Sequence, residues 1–60
     1  SSIKPKDSAK VFEQLDDETV IGILQHMDSE QVGKILAAMS PERAALITKK
    51  MLAVETPGTT

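Results

Sequence analysis

The groups in this chain that could do chemistry are nine carboxylates, a single imidazole at His26, five serines, and no thiol or phenol. Nucleophilic catalysis needs a base placed beside the attacking oxygen. None of Ser1, Ser2, Ser8, Ser29 and Ser40 has such a base within sequence reach. His26 falls at the end of a helical segment, where an imidazole complements the negative end of the helix dipole. That explains it without a catalytic or metal role. The runs Asp16-Asp17-Glu18 and Asp28-Ser29-Glu30 carry oxygen ligands of the kind Mg²⁺ takes. No EF-hand loop surrounds them, and acids in the first turn of a helix have a structural reason to be there. The reading is a protein that is not an enzyme and has no cofactor. Asp16, Asp17, Asp28 and Glu30 are the weak candidates for a Mg²⁺ contact shared with another domain.

These residues are placed by a repeat. Blocks of twelve residues begin at Ile3, Leu15, Met27 and Met39, and Met51 opens a truncated fifth. Each block starts with a large apolar residue followed by polar, charged or proline positions. The sixth position is Ser8, Val20, Val32 or Ala44; the ninth is Val11, Ile23, Ile35 or Ile47; the tenth is Phe12, Leu24, Leu36 or Thr48. Positions six, nine, ten and the next block's first lie at i, i+3, i+4 and i+7, one face of an α-helix. From Met27 to Val32 the step is five, so the chain must turn once per block. Asp16, Asp28 and Ser40 stand where N-caps are needed. Gln31 lies at the capping-box spacing from Asp28, and Pro41 fits the first helical position, as Pro5 does in the first block.

The spacing predicts short helices near 6–14, 17–26, 29–38 and 41–53 of a domain spanning 7–53, after a leader over 1–6 and before a disordered tail over 54–60. Helices of about ten residues are unstable alone in water. They are expected to stack stripe on stripe, each unit on the next, into an armadillo-like α-superhelix, an all-α fold. Gly22 and Gly33, mid-helix, read as points where adjacent helices approach closely. Met27, Met39 and Met51 recur at one register and read as core. Ile21, Leu46 and Leu52 lie off the stripes, either widening the core or forming an exposed patch for a partner or for self-association.

Composition sets the outer bounds. At 60 residues the chain forms one domain or part of one, with 40% apolar residues, one aromatic and no cysteine. Charge is segregated: residues 1–10 carry +2, residues 11–42 carry −6 and residues 43–50 carry +3, for a net −2. A basic face and stacking aromatics, which nucleic-acid binding requires, are both missing. No run approaches the ~20 apolar residues of a membrane span, so any membrane attachment is expected through segments outside this chain.

The units LDDETVIGILQHM, MDSEQVGKILAAM and MSPERAALITKKM resemble the repeats of the intracellular N domain of MgtE-type magnesium transporters. They are also similar to helical units of the flagellar proteins FliG and MotE. The resemblance covers roughly residues 7–53. The last unit, ERAALITKKMLA, followed by a short polar tail, is closest to the MotE-like branch. That branch implies an upstream membrane anchor, periplasmic display and a chaperone-like or scaffolding contact with a flagellar stator or motor protein. The alternative implied is a cytoplasmic, Mg²⁺-sensing regulatory domain of a transporter. Val20-Ile21 and Val32-Gly33 depart from the Ala-Ala pair usual in these units.

Overall fold

The computed structural model describes residues 4–55, with side chains over 4–53. Four helices follow in order: α1 (Pro5–Phe12), α2 (Asp17–Leu24), α3 (Ser29–Ala38) and α4 (Pro41–Glu55). No strand occurs among the described residues, so the fold is all-α. The leader's Pro5 and Lys6 already belong to α1, and Val54 and Glu55 belong to the backbone of α4. Residues 1–3 and 56–60, the remainder of the expected leader and tail, lie outside the described residues.

The repeat is visible in the backbone. Ser8, Val20, Val32 and Ala44 each donate to the carbonyl four residues earlier, on Lys4, Asp16, Asp28 and Ser40, at 2.9–3.1 Å. Two of these starting points are capped by their own carboxylates. Asp16 accepts from the Thr19 amide at 3.3 Å and its hydroxyl at 2.7 Å; Asp28 accepts from the Gln31 amide at 2.9 Å. α1 starts without a side-chain cap and relies on Pro5, whose fixed φ suits the first turn.

Helix ends also follow the sequence. α1 and α2 both close at the tenth position of their blocks through tight turns, Leu15 to Phe12 and Met27 to Leu24. In α3 the next two residues are Ala37 and Ala38, the best helix formers, and the helix runs on through them to Met39. α4 continues past Met51 because the capping position of a fifth block is occupied by Leu52. A leucine side chain accepts nothing from an amide, so nothing there favours a break.

The core is one cluster of Ala9, Phe12, Val20, Ile21, Leu24, Ile35, Met39 and Ile47. Leu15, Met27, Val32, Leu36, Ala44 and Met51 pack around it, partly covered. The main helix contacts join α1 to α3, α2 to α4 and α3 to α4. α1 and α2 therefore meet the next helix but one, α3 and α4, more fully than their successors, whereas α3 and α4 pack on one another as the expected stacking of each unit on its successor provides. The physical reason lies in the register. The buried residue is at position ten in the first pair, Phe12 and Leu24, and at position nine in the second, Ile35 and Ile47. Two layers facing one another must use opposite sides of the same stripe. Val11 and Ile23, at position nine of the first pair, are accordingly 58% and 39% exposed.

Ile21 joins the core, whereas Leu46 and Leu52 are exposed. The glycine expectation is not met. A Cβ at Gly22 or at Gly33 would find no heavy atom within 4 Å, so neither position permits a close helix approach. Both sit in exposed helix interiors, where glycine only adds backbone entropy to the unfolded state.

Two outcomes follow for stability, each read from chemical denaturation. Ile47→Ala, which empties a fully buried site, should cost about 2–5 kcal/mol, much of what so small a domain has, whereas Leu46→Ala should stay within about 0.5 kcal/mol. Gly22→Ala and Gly33→Ala should each stabilise the domain by about 0.4–1 kcal/mol; a loss at either would mean that the space around it is needed.

Candidate functional site

Arg43, the chain's one arginine, gathers three helices. Its Nε and Nη2 both donate to Asp17 Oδ1, at 3.0 and 2.9 Å. Nη1 donates to the Phe12 carbonyl at 3.0 Å and reaches Glu13 Oε1 at 3.5 Å. Nη2 also donates to the Leu15 carbonyl. The carbonyls of Phe12 and Leu15 belong to the end of α1 and the turn beyond it, and Asp17 is the first residue of α2. One guanidinium thus joins the end of α1 to the start of α2 from a position on α4. The planar fork with five N–H donors is what makes this possible, and a lysine has no such geometry.

Two further bonds reinforce the seat. Lys50 Nζ donates to Asp17 Oδ2 at 2.9 Å. The Ser40 amide donates to Glu13 Oε2 at 2.9 Å, so the start of α4 is held by a carboxylate from the turn after α1. The Asp17 and Arg43 side chains are about four-fifths covered, with 18% and 21% exposure. The Lys50 hydrogen bond, followed by that from Arg43, holds the Asp17 carboxyl below its ordinary value. The same carboxylate holds the Arg43 guanidinium above its own. Asp16 is lowered chiefly by the Thr19 hydroxyl.

The residues singled out for Mg²⁺ are not brought together. Asp16 and Asp28 cap separate helices, and Asp17 is bound to Arg43 and Lys50. Glu30 stands exposed beside Lys34 at 3.7 Å. Among the described residues, no group of three or more His, Cys, Asp or Glu side chains could hold a metal ion. His26 lies in the turn after α2, and its Nδ1 donates to the Gly22 carbonyl at 2.8 Å. A carbonyl can only accept, so this nitrogen carries the hydrogen. The ring satisfies one of the helix's terminal carbonyls.

The one arginine among seven cations was a signal in the sequence that Arg43 differed from its neighbours, but its partners are 26–31 residues away. Among the described residues, an open groove of about 310 Å³ is lined by Leu24, Gln25, Met27, Ser29, Val32 and Met51. Met27 and Met51 are half-buried there, with one side against the core and one on the groove.

These features define a small helical-repeat domain: a single apolar cluster, an arginine clip joining its first turn to its last helix, and an open groove. The model of the MgtE intracellular N domain matches residues 1–55, and the chain belongs to that family. No curated protein and no solved structure matches. Among the described residues no helix is long and apolar enough to cross a membrane.

The clip has a defined pH dependence. A carboxyl lowered in the folded state contributes stability that is present above its ordinary value of 3.8 and is lost as pH falls through the lower folded value. Stability should therefore fall as the pH drops below about 3.8. In Asp17→Asn the neutral-pH stability should be lower and the acid limb shallower, as followed by helical circular dichroism against urea at each pH. An unchanged acid limb would remove Asp17 from this role.

Proposed function

We propose that this domain is the regulatory N domain of an MgtE-type magnesium transporter, acting at the intracellular face by protein contacts and without catalysis. The observation that carries the reading is the family match over residues 1–55. The geometry agrees with it. The polar groups form caps and a clip, and the remaining features are apolar surface and a groove, which suit docking better than bond-making.

Magnesium enters this reading as a regulatory ion. Single carboxylates such as Glu30, and Glu18 on the first turn of α2, are exposed. One or two carboxylates are what Mg²⁺ ordinarily takes from one protein surface, its other ligands being water or groups elsewhere. An ion held this way would be shared with a neighbouring domain. Repetition of the contact between a helix and the next but one would extend the fold into a superhelix. The flagellar stator reading has no observation behind it beyond the form of the last unit.

The test uses the complete gene product. It should restore growth at low Mg²⁺ to a bacterium lacking its own magnesium transporters, and deleting residues 4–55 should shift the Mg²⁺ dependence of uptake while leaving uptake itself. Failure of the complete product to restore growth, combined with loss of swimming when the gene is removed from its own host, would overturn the proposal in favour of a flagellar role.

A further inference from the structure

The open groove has an occupied counterpart within the same molecule. Shifting its lining residues back by twelve gives Phe12, Glu13, Leu15, Asp17, Val20 and Met39. Four of these are the residues that hold Arg43. The backbone of the two places also agrees. Glu13 and Gln25 close their helices at φ −64°, ψ −17° and φ −66°, ψ −16°. The bonds Leu15 to Phe12 and Met27 to Leu24 measure 3.0 and 3.1 Å. Val20 and Val32 occupy the same relative position in the next helix, and Met51, which lines the groove, stands twelve residues after the buried Met39.

What differs is the filling. In the first place α4 supplies the Arg43 guanidinium and buries Ile47, four residues on. In the second, no side chain among the described residues bonds to the Leu24 or Met27 carbonyl. α4 runs straight through the point where a fifth unit would turn, because Leu52 stands where an N-cap is needed. The turn that bears the Leu24 and Met27 carbonyls repeats the backbone geometry of the turn that bears the Phe12 and Leu15 carbonyls. Gln25 and Ser29 stand in it where Glu13 and Asp17 stand in the other.

We propose that this groove is a docking seat for an amphipathic helix of another protein, one that presents an arginine to the Leu24 and Met27 carbonyls and a β-branched aliphatic residue four positions later. The occupant's chemistry is read from the way α4 fills the equivalent seat, and it stands independently of the transport reading. A second copy of this chain is a poorer occupant, because its Arg43 is already bound within its own fold and would have to leave five hydrogen bonds to dock. The binding resembles other helix-in-groove recognition, in which anchors at i and i+4 set the register.

The probe is a synthetic peptide of residues 40–53, SPERAALITKKMLA, titrated into the isotopically labelled 60-residue chain and followed by amide chemical shifts. Saturable shifts are expected at Gln25, Met27, Ser29, Val32 and Met51. A peptide carrying Arg43→Met should bind at least about tenfold more weakly, near the loss expected for one charge-assisted bond. The domain variant Ser29→Asp, which restores the carboxylate found in the occupied seat, should tighten the arginine peptide severalfold and leave the methionine peptide unchanged, a coupling that separates seating from general attraction between charges. Shifts confined to Phe12, Glu13, Leu15 and Asp17 would mean exchange with the chain's own α4 and would overturn the proposal. So would equal binding of the two peptides, or the same groove shifts arising on concentration of the chain alone, which would make a second copy the occupant.

Discussion

The contact on which the rest of this small domain depends is the one between the Arg43 guanidinium and the carbonyls at the end of α1. Helices of eight to ten residues have few internal hydrogen bonds relative to the cost of starting them. Their exposed ends add four unbonded carbonyls each. Arg43 addresses both problems. It occupies carbonyl oxygens at the first turn and fixes the direction in which α2 leaves α1. Without that fixed corner, Val20, Ile21 and Leu24 would have no defined angle at which to meet α4. Apolar burial supplies most of the stabilisation, at roughly 1.5–3 kcal/mol for each fully buried aliphatic side chain. The arginine determines which arrangement of the helices that burial selects.

The side-chain hydrogen bonds that Arg43, Lys50 and Ser40 make to the first corner form one connected set. Asp17 is bound by both Arg43 and Lys50, and Glu13 accepts from Arg43 and from the Ser40 amide. Basic residues of α4 therefore answer acids at the first corner, and the segregated charge of the chain has a structural use. Much of the acidic stretch is engaged in caps and in this corner: Asp16 and Asp28 cap helices, and Glu13 and Asp17 hold the clip.

The four helices, their capping positions at Asp16 and Asp28, and most of the core were legible in the sequence because they depend on local spacing. Val20, Leu24, Ile35, Met39 and Ile47 are all stripe residues, and all are buried. The departures share one cause. Which side of a stripe is covered depends on the partner helix, and a twelve-residue pattern does not say whether the partner is the next helix or the one after it. Val11 and Ile23 therefore belong to the stripe yet are exposed, whereas Ile21 lies off the stripe and is buried. The Arg43 seat was hidden for the same reason, since it links positions 26–31 residues apart. The groove was only partly visible: Met27 and Met51 stood out as a recurring register, but their open side depends on α4 failing to turn at Leu52.

The pairing of α1 with α3 and of α2 with α4 also bears on how the chain comes to be folded during synthesis. Of the four helices α1 is made before the others, yet it has its main partner in α3, which begins roughly two dozen residues later in the chain. Closing a loop of that length costs entropy before any contact repays it. The first half of the domain thus emerges with Phe12 and Leu24 uncovered and its corner unclipped until Arg43 has been made. Folding is committed late, when the fourth unit arrives, and a nascent chain stalled before residue 43 would present a sticky pair of short helices to chaperones and to its neighbours.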